Sequence, residues 1–333
     1  MTRKLLIVTG GAGFIGLSLL QTLQRENNSD IWVIDCLTYA SNENQIRDTN
    51  NLTLITKSIS NFSHMEEIFS RAKANYSEIN VIHLAAESHV DRSIKSGALF
   101  IETNILGTQN LLELSSKMGI SRFVHVSTDE VYGDVLEGES LESDHLKPSS
   151  AYAASKAASD LLVLAHIRTH GLDAVITRCT NNFGPNQAPE KFIPRVVNRL
   201  MENQPIPVYG NGDQVREWIS VVDHAQGIWS ALISGNSGEI YNFGSGWRKT
   251  NLEVISIIAE VLNVEPKIDF IADRLGHDKR YALNSTKSFN QLGWAVDKST
   301  EDKFRETVKQ LAQISLSPEG KKRYEEMEKF YAN

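Results

Sequence analysis

The sequence predicts an α/β fold: a doubly wound, mainly parallel Rossmann-type sheet with a smaller mixed α/β lobe beside it. Three observations carry this expectation. Short runs rich in Val, Ile and Leu alternate with helix-length segments through the first half of the 333 residues, and such alternation specifies parallel strands covered by helices on both faces. A glycine-rich turn stands between the first strand-like run and the first helical one. After about Asn182 the rhythm changes, as Pro185, Pro189, Pro194, Pro205 and Pro207 interrupt it and Gly210, Gly212, Gly244 and Gly246 add turns.

The strand-like runs are residues 4–9, 30–35, 52–56, 81–85, 122–127 and 174–179, and the helical segments among them are 14–25, 65–74, 98–118 and 152–169. Right-handed crossovers between successive parallel strands give the doubly wound order. In the second half, helical segments 192–203 and 251–262 lie among the turns, and 223–234 returns to the first domain. The expected sheet domain is therefore residues 1–181 with about 216–240. A lobe that cups a ligand takes about 182–215 and 241–295, and a charged helical tail takes 296–333, where Lys321-Lys322-Arg323 and Glu325-Glu326 read as a solvated face.

Composition is that of an ordinary soluble enzyme, with 41% hydrophobic and 23% charged residues. A net charge of -7 argues against nucleic acid as a partner. The run Leu5-Leu6-Ile7-Val8 is too short for a secretion signal, and no stretch approaches a membrane span. Cys36 and Cys179, in or beside strands, read as buried free thiols in a reducing compartment. A cytoplasmic protein without a metal is expected.

The turn Gly10-Gly11-Ala12-Gly13-Phe14-Ile15-Gly16 follows a strand and opens a helix. Gly10, Gly13 and Gly16 allow a tight turn, close approach of a pyrophosphate and close helix packing, with the helix N-terminus facing the phosphates. Asp35 ends the second strand, where a carboxylate accepts hydrogen bonds from both adenosine ribose hydroxyls and repels a 2′-phosphate. The cofactor expected is NAD rather than NADP.

Tyr152 and Lys156 stand four apart on one helix face. The lysine charge there holds the phenol closer to its ionised form, which suits removal of a hydroxyl proton while hydride leaves the same carbon. Thr128 ends the strand before them, at the carboxyl edge where open parallel sheets place their chemistry, and is read as hydrogen-bonding the reacting oxygen. Asp129 and Glu130 follow directly. They add a second proton donor and acceptor that a simple dehydrogenase does not need, so the chemistry to expect is oxidation plus elimination.

The glycine spacing resembles that of the extended short-chain dehydrogenase/reductase superfamily. Within it, the words Ala85-Ala86-Glu87-Ser88-His89-Val90-Asp91-Arg92-Ser93-Ile94, Ser127-Thr128-Asp129-Glu130-Val131-Tyr132-Gly133 and Tyr152-Ala153-Ala154-Ser155-Lys156 resemble the dTDP-glucose 4,6-dehydratases. So do Asn181-Asn182-Phe183-Gly184-Pro185, Pro189-Glu190-Lys191, Arg216-Glu217-Trp218 and Asp273-Arg274-Leu275-Gly276-His277-Asp278. The Thr-Asp-Glu triplet discriminates most: related decarboxylases generally carry Ser in place of the Asp, and 4-epimerases carry neither acid.

The resemblance implies a nucleotide-diphosphate hexose as substrate and a three-step cycle. Tyr152 takes the 4-hydroxyl proton as hydride leaves C4. Glu130 then removes the C5 proton while Asp129 protonates the departing 6-hydroxyl, and hydride returns to C6. It also implies cofactor contacts from Phe14, Ile15, Thr38, Tyr39, Ser58, Ile59, Leu84, Ala85, Ala86 and Lys156. Arg216 and Arg274 are implied for the diphosphate, Val208 and Tyr209 beside the base, and Glu87 and Ser88 around the hexose, with Asn181, Lys191, Asn251 and His277 as further contacts. A homodimer through a four-helix interface of 98–118 and 152–169 follows in the same way.

Three departures bear on detail. The family's Gly-Asp-Ile reads Lys57-Ser58-Ile59 here, so Ser58 replaces the acid that usually meets adenine. Ala188 stands where a bulky aromatic is common, which leaves room for a 2-acetamido group and keeps UDP-N-acetylglucosamine open beside dTDP-glucose. The segment from Gly133 to Tyr152 is shorter than in many members. A 4-epimerase, a decarboxylase and a non-catalytic NAD-binding interaction protein are the rival readings.

Overall fold

Seven strands among the described residues, all paired in parallel, form one sheet whose strands, in sheet order, begin at Ile240, Ala174, Arg122, Glu78, Lys4, Asp30 and Leu52. In the computed structural model, which describes residues 3–43, 46, 51–296, 299–318 and 320–325, the first half runs β1 (Lys4–Thr9), α1 (Phe14–Glu26), β2 (Asp30–Asp35), β3 (Leu52–Thr56), α2 (Phe62–Asn75), β4 (Glu78–His83), α3 (Val90–Lys95) and α4 (Ala98–Phe100). A π-helical segment (Ile101–Leu106) leads into α5 (Gly107–Met118), β5 (Arg122–Thr128), a 3-10 turn (Asp129–Tyr132), α6 (Ala151–His170) and β6 (Ala174–Cys179). The second half runs β7 (Asn181–Phe183), α7 (Phe192–Met201), β8 (Ile206–Tyr209), β9 (Val215–Ser220), α8 (Val221–Ser234), β10 (Ile240–Phe243), β11 (Arg248–Thr250), α9 (Asn251–Leu262), β12 (Ile268–Ile271), α10 (Thr286–Leu292) and α11 (Thr300–Leu316).

Strand periodicity explains why the sheet is covered on both faces. Leu5 and Ile7 join Trp32, Ile34, Val81 and Phe123 beneath α2, α5 and α6. Their neighbours Leu6 and Val8 join Ile31, Val33, Ile82 and Val124 beneath α1 and α8. Alternate side chains point to opposite faces, so a continuous apolar run supplies both cores, each buried side chain contributing about 1.5–3 kcal/mol. Segment 223–234 does return to the sheet, as α8, through Ala225, Ile228 and Leu232. Ser150 caps α6 by accepting from the Ala153 amide at 3.1 Å, and Gly171, at φ 65°, ends it.

The second lobe holds a three-stranded sheet, β11-β9-β7, and the pair β12-β8. Its core gathers Phe183, Ile193, Val196, Val208, Trp218, Ile255, Phe304 and Val308, so α11 completes the lobe.

The structure departs from the sequence reading at several points. The fourth strand begins at Glu78 rather than 81, because its polar start pairs in register with Lys4 and Leu5 of β1. The helix expected over 98–118 is interrupted by the π-helical segment. The lobe boundaries need correction at both ends, since β9, given to the sheet domain from about 216, pairs with β7 and β11 in the lobe, while β10, given to the lobe from 241, pairs with β6 in the main sheet. Trp294 also packs on Phe243 and donates to the Asp223 carbonyl at 2.9 Å. Cys179 is buried as expected, but Cys36 is exposed, one residue past the end of β2. Glu326 and the rest of the tail beyond 325 lie outside the described residues.

Candidate active site

The glycine turn is shaped by its surroundings. Gly10 has φ 72°, and a Cβ there would stand 2.6 Å from the Ala85 amide nitrogen, so the backbone after β4 lies directly against the turn. A Cβ on Gly16 would meet the Gly10 carbonyl oxygen at 2.4 Å. Helix α1 begins at Phe14 with no side chain capping its N-terminus, leaving its first amides free for an anion. Asp35 closes the cradle from β2. Its Oδ2 accepts from the Ala12 amide at 3.0 Å and its Oδ1 from the Leu37 amide at 2.8 Å and Ser41 Oγ at 3.0 Å. Turn, uncapped helix and carboxylate together fit a dinucleotide.

Leu84, Ala85 and Ala86 follow β4 beneath this turn, with the Ala85 amide donating to Thr9 Oγ1 at 3.3 Å. Phe14 reaches toward Gly184 at the start of the second lobe, Ile15 packs on the α1 side of the sheet, and Thr38 lies in the turn after β2, accepting from the Ser41 amide. Ser58 is occupied with Ser60 Oγ at 2.8 Å. Ile59 differs from expectation: its side chain is buried under Gly107 in the core, and its carbonyl is taken by Asn110. Only its backbone amide could face a cofactor.

Four of the five expected catalytic side chains meet at the carboxyl ends of β5 and β6, where Thr128 pairs in register with Cys179. Thr128 Oγ1 donates to Asp129 Oδ1 at 3.2 Å and accepts from the Glu130 amide. Tyr152 is buried and lies within reach of the charges of Glu130 and Asp129 and of the Thr128 hydroxyl. Burial, reinforced by Glu130, pushes its phenol well above the ordinary value. Burial thus outweighs the Lys156 charge in setting that phenol. Lys156, 4% exposed, instead donates to the Val126 carbonyl at 2.8 Å, and burial lowers it to about 8.

The acid pair is split by its environment. Burial first, then Glu130 and Glu217, raise Asp129 well above the usual carboxyl range, and its Oδ2 is buried without a hydrogen-bond partner among the described residues. Burial also raises Glu130, but Arg216, Arg274 and Lys191 oppose it. Burial thus favours the proton on Asp129 more strongly than on Glu130, toward whose ionisation three cations pull, the division that paired acid and base roles require.

Those cations come from the second lobe. Arg216, 7% exposed, donates to the Val215 and Asp278 carbonyls at 2.9 Å, with its guanidinium 4.4 Å from the Tyr281 ring centroid. Arg274 pairs with Asp91 at 3.2 Å, and the Tyr209 hydroxyl donates to the same carboxylate at 3.4 Å. Lys191 donates to the Ser88 carbonyl at 3.2 Å, and Glu87 is held through its amide by Asn104 Oδ1 at 2.8 Å. His277 binds Asp273 at 2.7 Å and lies edge-on to Tyr209, while Asn251 donates to Gln214. The Asn181 Oδ1 is buried without a hydrogen-bond partner among the described residues. Val208 is a second correction: alternation along β8 turns its side chain into the lobe core, 2% exposed.

Two contributors escaped the sequence reading. Asp91 ties the sheet domain to the lobe, although it sat inside a word already singled out. Arg178 stood as a lone charge in an otherwise apolar strand, a signal that was legible.

Residues 6–244 match the model of the NAD dependent epimerase/dehydratase family. A dTDP-glucose 4,6-dehydratase from Streptomyces niveus is 42% identical over 91% of this chain and 91% of its own length. The structure of a dTDP-glucose 4,6-dehydratase from Streptomyces venezuelae, solved with NAD bound, superposes with a TM-score of 0.89 at 41% identity, covering 93% of this chain and 98% of that one. A UDP-glucose 4-epimerase from Thermus thermophilus, solved with NAD, superposes with a TM-score of 0.85 at 29% identity, over 92% and 98%. The backbone is thus shared between dehydratase and epimerase, and the difference lies in side chains.

Proposed function

The chain belongs to the NAD dependent epimerase/dehydratase family, and from that premise we propose that it is a nucleotide-sugar 4,6-dehydratase acting on dTDP-glucose. The observation that carries this reading is the split acid pair Asp129 and Glu130, set on one short turn beside Tyr152. An epimerase has no use for such a pair.

NAD, when bound against the glycine turn and Asp35, supplies a hydride acceptor and, once reduced, a donor. The chain's own residues move the protons. Tyr152 takes the proton of the sugar 4-hydroxyl, with Thr128 fixing that oxygen; the cationic nicotinamide of NAD, together with Lys156, would supply the positive charge that lowers the phenol for this role. The ketone formed at C4 acidifies the C5–H, and Glu130 removes that proton. Asp129, whose protonated form burial favours, gives its proton to the 6-hydroxyl as it leaves as water. Glu130 returns its proton to C5, and with the hydride that the reduced cofactor would supply at C6 the product is a 4-keto-6-deoxy sugar with no net oxidation; Tyr152 then holds one proton more and Asp129 one fewer, a difference that exchange with solvent restores. Arg216 and Arg274 offer planar guanidinium groups to the diphosphate, with Lys191, Asn181, Asn251, His277 and Tyr209 around it and Glu87 and Ser88 toward the hexose.

UDP-N-acetylglucosamine is not favoured: the dehydratase relatives are named for dTDP-glucose, and Ala188, 6% exposed, presents little accessible surface. Homodimerisation is supported by exposed apolar side chains on the expected helices: Leu99, Ile101 and Leu106 at 41%, 59% and 47%, and Leu161 at 58%. No helix among the described residues is long and apolar enough to cross a membrane, and the free thiols Cys36 and Cys179 suit a reducing compartment, which supports the cytoplasm.

Incubation of the NAD-loaded protein with dTDP-glucose, UDP-glucose and UDP-N-acetylglucosamine, read by product mass, tests the reading. Loss of one water from dTDP-glucose is expected. Unchanged mass with inversion at C4, or loss of carbon dioxide from a uronic acid analogue, would overturn it.

A further inference from the structure

Arg178 leads by size the side chains that the fold buries completely, and the chemistry above gives it no task. It projects from β6, with its Nε donating to Asp160 Oδ2 at 2.9 Å and its Nη1 to the Tyr132 hydroxyl at 2.8 Å. That hydroxyl in turn donates to Asn242 Oδ1 of β10 at 2.9 Å, and the guanidinium stands 4.7 Å from the Tyr132 ring centroid. Asp160 is fully buried, with His125 Nε2 at 3.4 Å from its other oxygen. Removing such a pair from water costs several kcal/mol per ion, and apolar residues of the same volume commonly stabilise a core as well or better. Stability alone therefore does not account for the pair.

Its connections do. Asp160 lies one helical turn beyond Lys156 on α6, the helix that carries Tyr152. Tyr132 ends the 3-10 turn that begins with Asp129 and Glu130. That turn spans four residues, closed by the Gly133 amide bonding the Glu130 carbonyl at 3.2 Å and by the Thr128 cap, and its Val131 carbonyl accepts from the Lys147 amide at 3.0 Å. Val131 and Tyr132 pack against Ala157 of α6, and Arg178 adds the polar tie between the turn and that helix, through Tyr132 and Asp160. We infer that Arg178, held between Asp160 and Tyr132, is a positioning unit that fixes the spacing between the hydride-transfer pair, Tyr152 and Lys156, and the elimination pair, Asp129 and Glu130. The inference rests on the dehydratase reading above.

Tyr132→Phe is the gentlest probe, because it keeps the ring and its stacking and removes only the hydroxyl that links Arg178 to Asn242. The full-length, NAD-loaded variant is mixed with dTDP-glucose in a single turnover, and two rates are followed: appearance of enzyme-bound NADH by absorbance and loss of water by mass. Misplacement by a fraction of an ångström slows a step about tenfold or more. NADH should form at the wild-type rate and then accumulate, because elimination alone is slowed about tenfold or more. Asp160→Asn, loosening the other arm, should slow NADH formation more than elimination; if it does not fold, Tyr132→Phe decides. Equal slowing of both steps in Tyr132→Phe, as a smaller folded fraction would give, overturns the inference, and so does no slowing of either. Wild-type protein run alongside separates the two readings: absence of water loss there sinks the dehydratase assignment itself.

Discussion

Replacing Lys156 with Met should abolish activity and make the ligand-free protein more stable. The Lys156 side chain is 4% exposed, and among the described residues its one hydrogen bond goes to the Val126 carbonyl. Burial lowers its pKa from 10.5 to about 8 against the opposing pull of Asp160. At about 1.4 kcal/mol per pH unit, holding that proton in the folded protein costs about 3 kcal/mol at neutral pH. Met fills a similar volume and leaves the Val126 carbonyl without its donor, at about 1 kcal/mol. The variant should therefore gain about 2 kcal/mol at pH 7. Below about 8 both folded and unfolded chains hold the proton and the full cost applies. Between about 8 and 10.5 the unfolded chain binds more protons, so wild-type stability rises with pH, and above 10.5 the cost is gone. Urea unfolding of both proteins at pH 7 and near pH 10 reads this as a difference that shrinks with rising pH and then changes sign. A variant less stable than wild type at pH 7, or a pH-independent difference, would refute the reasoning.

Four further outcomes are expected. Asp129→Asn with Glu130→Gln should permit NADH formation yet stall loss of water. In the wild type, the elimination step should weaken as pH rises through the raised pKa of Asp129, because the acid is lost; rapid-quench mass measurement across pH checks both. Gly10→Ala, with a Cβ 2.6 Å from backbone, should destabilise by about 3–5 kcal/mol. Gly119→Ala, at φ 63° with nothing within 4 Å, should cost only about 1–2 kcal/mol, and unfolding curves compare the two. Leu161→Glu, at a side chain 58% exposed on α6, should weaken self-association about 30-fold or more if that face is a dimer centre, seen as a halved mass in sedimentation.

Most of the sheet was readable because apolar runs between turns leave few alternatives: β1, β2, β3 and β6 stand where the pattern put them. The catalytic turn was readable because five chemically demanding residues fall in two short words. The π-helical segment was not, since an extra residue in a helical turn leaves no composition signal; it becomes visible only through Asn104, whose side chain holds Glu87 from both sides and also reaches Ser155. Ile59 and Val208 sat in the right words, but their side chains turn into the core, a matter of strand phase and helix packing that words alone do not carry. Tyr152 and Lys156 share a helix face as expected, yet burial outweighs the lysine charge in setting the phenol, and burial belongs to tertiary structure.

The order in which the chain is made has a consequence for the second lobe. Its core joins Phe183 and α7 to α9 and finally to Phe304, Val308 and Leu311 of α11. A chain emerging from the ribosome can lay down β1 to β6 early, but Arg216, Arg274 and Lys191 cannot settle around Glu130 until α11 has emerged. The growing chain therefore assembles its hydride-transfer half well before it can divide the acid pair, and a translation product stopped short of α11 would carry the glycine turn and Tyr152 without a working elimination site.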